Sequence, residues 1–206
     1  MKTHRQHASR AFTLIELLVV ITIIAILASL TAAGIISSID QANRLKVRTV
    51  LMDLKNGIDQ YQTDYNRFPI DSTVTGANGE DTPELLTDGS NSLVDTLMGI
   101  PPASSGAADL NPKRTPFVAF SPANNGRHGL VGAARPFKLA DMYGQPYYIL
   151  LDTNGDNQVK NPDAGNADPK ISQNQAAHLV TKVAVYSSGK DQAPSTGDDI
   201  TSWRPK

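Results

Sequence analysis

Three aspartates crowd the end of this chain, Asp191, Asp198 and Asp199, in a stretch that runs from Tyr186 through Ser188-Gly189 to Ile200 and Trp203. Carboxylates this close in sequence repel one another unless a hard cation takes them, and Ca²⁺ accepts about 6–8 oxygens in flexible geometry. A solvated acidic loop closed by Trp203 as a core plug accounts for the same residues without a metal. Both readings stand on these residues alone.

A second acidic run spans Asp152 to Asp163. Asp152, Asn154, Asp156 and Asp163 fall at positions 1, 3, 5 and 12 of a loop, which resembles an EF-hand calcium loop. The run departs from that pattern at Asn157, where glycine is usual, and at Asp163, where a bidentate glutamate is usual. A β-hairpin tipped by Asn154-Gly155-Asp156 explains the same residues without metal. Catalytic chemistry has less to stand on. Cysteine is absent, His4 and His7 lie in the first eleven residues, and His128 and His178 stand apart from any ligand spacing. Gly126-Arg127-His128-Gly129 and Ser187-Ser188-Gly189 lack the strand-turn-helix context of a phosphate loop or a nucleophile elbow.

The opening of the chain must carry different work. Lys2, Arg5 and Arg10 precede Ala11, and an apolar stretch from Phe12 to Ile36 follows, broken only by Glu16 among charged residues. As a helix its 25 residues would be about 37 Å long, enough to cross a bilayer with some tilt. One carboxylate inside such a run costs about 2.5–3.5 kcal/mol near the bilayer centre, so Glu16 needs a partner. A secretory signal cleaved near Thr31-Ala32-Ala33 would have a shorter apolar core and no acid. A plain anchor with its basic residues inside predicts the same topology but leaves Glu16 unexplained.

The string Phe12-Thr13-Leu14-Ile15-Glu16-Leu17-Leu18-Val19-Val20-Ile21 resembles the N-terminus of type IV pilins and type II secretion pseudopilins. The resemblance implies cleavage after Ala11 by a prepilin peptidase on the cytoplasmic side and methylation of the new Phe12 amine. It also implies a salt bridge from that amine to Glu16 of a neighbouring subunit in a filament. Ala11 stands where the family has glycine. Cleavage removes three basic residues, taking the balance from 19 basic against 20 acidic residues to 16 against 20, a net −4.

Past the apolar half, Ile39, Val47, Val50, Leu54, Ile58, Tyr61 and Tyr65 keep to one face of a helical period. Gly57 weakens this half by about 1 kcal/mol relative to alanine, and Pro69 ends it. One helix from Phe12 to near Asn66 is expected, its second half lying against a globular head. The exit, Tyr61 and Tyr65 followed by Phe68-Pro69, is similar to the major pseudopilin of type II secretion. So are the turn Asp141-Met142-Tyr143-Gly144-Gln145-Pro146-Tyr147 and the ending Gly189-Lys190-Asp191 to Asp198-Asp199-Ile200 and Trp203. In that family the last loop binds calcium, and the resemblance places Asp191, Asp198 and Asp199 as side-chain ligands and the Ser188 carbonyl as a backbone ligand.

The expected class is α+β, a pilin-like fold in which the long helix packs on a small antiparallel sheet and a C-terminal metal loop closes a loop-rich head. Residues 1–11 are the leader, 12–39 the membrane and polymerisation half of the helix, and 40–66 its amphipathic half. Residues 67–138 form a loop-rich segment, enlarged over the family by about sixty residues, and 139–206 carry the sheet and the calcium loop. One or two short helices are expected over Leu85-Leu86 and Leu93–Met98, and strands near Thr115–Ser121, at Tyr147–Leu151 and at Leu179–Tyr186. The resemblance implies a single-pass protein of the bacterial inner membrane with a periplasmic head. Its partners would be further copies of itself, minor pseudopilins, the inner-membrane assembly platform and the prepilin peptidase, with no nucleic acid. A type IV pilin for adhesion, motility or DNA uptake is the alternative in the same superfamily, and a membrane-anchored periplasmic hydrolase is the enzyme alternative.

Overall fold

The computed structural model describes residues 12–72, 74, 76, 79–166, 168, 171 and 176–204, with the side chains of 31–36 left aside. The chain divides into two units, Met1–Ala42 and Asn43–Lys206. Helix α1 (Leu14–Tyr65) supplies the described regular structure of the first unit and enters the second. In the first unit its apolar side chains are open to the surroundings, with Leu14 83% and Leu30 70% exposed. Among the described residues no helix is long and apolar enough to cross a membrane. Part of the apolar stretch expected to do so, residues 31–36, has no described side chains.

The second unit is built on the other half of α1. Val47, Leu51, Leu54, Ile58 and Tyr61 recur every three or four residues and are fully buried, the stripe that a 3.6-residue period puts on one face. Opposite this stripe lies a four-stranded antiparallel sheet in the order β1-β4-β7-β8. Its strands are β1 (Leu85–Leu86), β4 (Tyr148–Leu151), β7 (Val183–Ser187) and β8 (Ile200–Thr201). Ile149, Leu151, Val183, Val185 and Ile200 join the helix stripe in one core. The expected α+β arrangement of an N-terminal helix packed on an antiparallel sheet is therefore present.

All five residues of β7 are buried. On its second face Ala184 packs with Val159 and Leu179 in a smaller cluster, with Leu150 and Trp203 against it. That cover comes from a two-stranded sheet, β5 (Val159–Lys160) with β6 (His178–Leu179). The strand expected from Leu179 to Tyr186 thus breaks in two. Leu179 pairs with Val159 in one sheet and Val183 with Leu151 in another, so the chain must change sheets between them. The period-2 alternation of Leu179–Tyr186 is imperfect for a related reason, since a strand covered on both faces has no polar side to alternate.

In the loop-rich segment one of the one or two expected helices is present, at Leu93–Leu97, and the strand expected near Thr115–Ser121 is not. Leu85-Leu86 is not helical; it is the edge strand β1, paired with Ile149 and Tyr148. Thr115–Ser121 makes no strand ladder. Instead the amides of Phe117 and Val118 donate to the Leu97 carbonyl at 2.8 and 3.3 Å, at the end of α2 (Leu93–Leu97). Phe117 is consumed by aromatic packing, edge-on to Tyr61 at 5.4 Å and to Tyr65 at 6.3 Å. A second two-stranded sheet, β2 (Gly129–Val131) with β3 (Lys138–Ala140), completes the head. The Tyr61 hydroxyl donates to the Leu110 carbonyl at 2.5 Å, and the Tyr65 hydroxyl donates to Asn111 Oδ1 at 2.7 Å. These bonds fasten the loop-rich segment to the helix exit.

Candidate calcium site and processing segment

Strands β7 and β8 pair with Ser187 opposite Ile200, so the intervening residues Ser188 to Asp199 form a closed loop whose ends are fixed by the sheet. Within it Asp191, Asp198 and Asp199 each offer a carboxylate oxygen, all within 4.8 Å of one another. The structure brings the three sequence-expected side-chain ligands together, with Ser188 fully buried at the end of β7. Gly189 makes the approach possible. At φ +68° it sits in the left-handed region, and a Cβ there would lie 2.5 Å from Asp198 Oδ2 and 2.6 Å from the Asp198 carbonyl oxygen.

Backbone amides aim the carboxylates. Lys190 and Asp191 N–H donate to Asp198 Oδ2 at 2.7 and 3.1 Å, and the Thr196 hydroxyl donates to Asp198 Oδ1 at 2.6 Å. Ser195 and Thr196 N–H donate to Asp199 Oδ2 at 2.8 and 3.2 Å, and Ala193 N–H to Asp191 Oδ1 at 2.9 Å. Arg44 of α1 reaches across to donate to the Asp198 carbonyl at 3.0 Å. Burial pushes the Asp199 carboxyl up to about 6, against the opposing pull of Arg204 and of the Thr196 and Ser195 amides. Burial also works on Asp198, but the Thr196 hydroxyl and the Asp191 and Lys190 amides outweigh it and hold that carboxyl below its usual value. Three oriented hard-oxygen donors on a loop this short fit a Ca²⁺ ion by the chemistry of the donor set.

The second acidic run is arranged differently. Asp152 is buried, and its carboxylate accepts from the amides of Gly155, Asp156 and Asn157 at 2.8, 3.1 and 2.9 Å. Asn154 Oδ1 accepts from Asp156 N–H at 2.9 Å, and Asp156 Oδ1 from Gln158 N–H at 2.8 Å. These side chains cap their own loop in the manner of Asx turns. The run is not a hairpin tip either, because β4 pairs with β7 and β5 with β6. Asp163 is 1% exposed and belongs to a separate network. It takes both Arg204 Nη2 at 2.5 Å and Arg204 Nε at 2.8 Å, and Trp203 Nε1 donates to it at 2.9 Å. Among the described residues, the one gathering of three acidic or histidine side chains is Asp191, Asp198 and Asp199; neither His128 nor His178 joins such a group.

At the other end of the chain, Ala11 and the expected leader lie outside the described residues. Phe12 is 77% exposed, immediately before the helix. Glu16 has a partner that the sequence reading missed. Thr13 N–H and its hydroxyl donate to Glu16 Oε2 at 2.9 and 2.7 Å, and Glu16 N–H donates back to Thr13 Oγ1 at 3.3 Å. That reciprocal pattern is a capping box, and Thr-x-x-Glu before an apolar run was its signal. Arg44 and Arg204 were likewise unforeseen as neighbours of the acidic loop. Arg204 lies beyond the recognisable motif, and nothing in local spacing ties it to Asp163. Asp141, expected only as a turn residue, also reaches the loop's base, since Ser187 Oγ donates to its Oδ2 at 2.6 Å.

Comparison with known proteins bears on the N-terminal end of this description. Residues 6–32 match the model of the prokaryotic N-terminal methylation motif. The chain is 40% identical over 65 residues to type II secretion system core protein G of Klebsiella michiganensis, covering 32% of this chain and 46% of that protein. It is 36% identical over 63 residues to the core protein G of Pectobacterium carotovorum subsp. carotovorum, covering 31% and 40%. The core protein G of Aeromonas hydrophila is 34% identical over 83 residues, covering 38% and 58%. The chain thus spans about half the length of the curated relatives it matches, 46% in the first of them. No solved structure matches it. This chain carries the prokaryotic N-terminal methylation motif and, over about a third of its length, resembles type II secretion core protein G.

Proposed function

We propose that this chain is a structural subunit of a type II secretion pseudopilus, cleaved after Ala11, methylated at Phe12 and assembled through its apolar helix half into a helical filament. The single observation that carries this reading is the methylation motif over residues 6–32, followed by a helix whose described side chains in the first half have no covering of their own. Leu17, Val20, Ile24 and Leu27 are all about half exposed, and side chains of that kind need lipid or other copies of the helix around them. On this reading the subunit enters the inner membrane with its head in the periplasm, is processed by the prepilin peptidase, and meets the assembly platform and minor pseudopilins. It does no covalent chemistry itself. Electron microscopy of cells producing the chain with its secretion machinery tests this: filaments are expected, and deletion of the gene is expected to stop export. Export continuing unchanged in the deletion strain would refute the assignment.

Within the head, Asp191, Asp198 and Asp199 with the Ser188 carbonyl would hold Ca²⁺, which neutralises carboxylates that otherwise repel and ties the loop between β7 and β8. Metal bound to the folded chain alone stabilises it by about 2.7 kcal/mol at a hundredfold excess over its dissociation constant. Calcium is therefore expected to raise the melting temperature over that in chelator. Asp198→Ala is expected to abolish that difference and Asp152→Ala to retain most of it. Identical melting of the natural chain with calcium and with chelator would remove calcium from the account.

A further inference from the structure

We infer that Arg204 is a positioning residue for the calcium loop, an internal cation that Asp163 holds in place so that Asp199 and the Thr196 turn keep their metal-binding arrangement. The inference rests on the calcium reading of Asp191, Asp198 and Asp199, and goes beyond it in assigning a role to two residues outside that set. The guanidinium is engaged on every side. Its Nη2 and Nε grip the Asp163 carboxylate at 2.5 and 2.8 Å, its Nη1 donates to the Thr196 carbonyl at 2.7 Å, and Nη2 lies 3.5 Å from Asp199 Oδ2. Its backbone N–H donates to Thr201 Oγ1 at 3.0 Å, which fixes where the side chain starts. Asp163 and Asp199 are 1% and 5% exposed, so neither has bulk water as an alternative partner.

The geometry settles what each member contributes. A bidentate fork on Asp163 fixes the plane of the guanidinium, because a planar five-donor group has little freedom once two of its N–H bonds are made. The remaining Nη1 then points at the Thr196 carbonyl, whose own N–H and that of Ser195 orient Asp199. A second bond holds the same turn to the Asp163 side, since Ser195 Oγ donates to the Pro162 carbonyl at 3.2 Å. Asp163 is held by Arg204 and Trp203, and through Arg204 it anchors the neighbouring loop. Groups that orient metal ligands without touching the metal commonly matter by about 10–100-fold in affinity.

Charge and positioning make opposite predictions here, which makes the inference testable. A guanidinium acting only by its charge would repel a dication, and its removal would tighten calcium binding. Calcium titration of the detergent-solubilised full chain, at a temperature where circular dichroism shows each variant folded, gives the dissociation constant directly. Arg204→Gln is expected to weaken Ca²⁺ about tenfold or more. Arg204→Lys, which keeps the charge and loses the fork, is expected to be equally weak. Asp163→Asn is expected to weaken binding as well, and the double variant Arg204→Gln with Asp163→Asn to be no worse than the weaker single one. A merely structural role would lower the chelator melting temperature of these variants and leave the dissociation constant alone. Unchanged or tighter binding in Arg204→Gln, or full rescue by Arg204→Lys, would overturn the inference while leaving the calcium site standing. A natural chain that binds no calcium would take down both.

Discussion

Asp141 is fully buried, yet its carboxylate is ringed by donors: the Tyr143 and Gln145 amides at 2.8 and 2.9 Å and the Ser187 hydroxyl at 2.6 Å. Burial wins over those bonds and raises its pKa above the ordinary value of 3.8. The folded head therefore binds a proton more tightly than the unfolded chain. Stability from this group is fully present below about pH 4 and is lost as pH rises through the raised folded value. Asp141→Asn keeps an acceptor for the two amides and removes the titration. Thermal melts from about pH 4 to 7 are expected to show a shallower decline in that variant; an identical slope would mean that Asp141 is ionised throughout. At this scale the acidic trio was legible because its members lie within nine residues, whereas the pairing of β7 with β8 that closes their loop was not. The Asp163–Arg204 pair was not, since 41 residues separate the partners and no periodicity joins them.

Elements that announce themselves by a local period were read correctly, and those that exist only through tertiary pairing were not. Helix α1 and strand β4 fall where their patterns put them. By contrast Leu85-Leu86 is a strand only because Ile149 and Tyr148 stand opposite it, and Thr115–Ser121 has strand composition but no strand beside it to pair with along its length. Gly57 shows the same dependence. Its cost to the helix was visible, but its purpose was not: a Cβ there would collide with Val118 Cγ1, on the segment that crosses α1. Gly57→Ala gains about 1 kcal/mol of helix propensity and loses about 1–3 kcal/mol to overpacking. The variant is expected to be less stable by denaturant melting, and a more stable Gly57→Ala would show that the crossing segment yields freely. The capping box at the start of α1 supplies a sharper test. Glutamine preserves a Thr-x-x-Gln box and discards the charge. If Glu16 serves assembly by pairing with a neighbour's Phe12 amine, Glu16→Gln and Glu16→Leu are both expected to abolish filaments. Removing one member of a buried pair costs about 3–5 kcal/mol. Normal filaments from Glu16→Gln would assign Glu16 to the cap alone.

At the scale of the whole molecule, a helix half whose described apolar side chains are exposed continues into a head whose last loop gathers three carboxylates. The cysteine-free composition fits the second feature, because a head without disulfides has to close its end by other means, and the β7–β8 loop with its clamp is the arrangement present. The methylation motif at residues 6–32 fits the first. What separates a filament subunit from a secreted or simply anchored protein is a single chemical event, hydrolysis of the Ala11–Phe12 bond. Intact-mass measurement on the chain recovered from membranes of a strain that carries the prepilin peptidase tests this most directly. The expected mass is that of residues 12–206 with one added methyl group. A mass retaining the first eleven residues, or one corresponding to cleavage near Ala33, would contradict it.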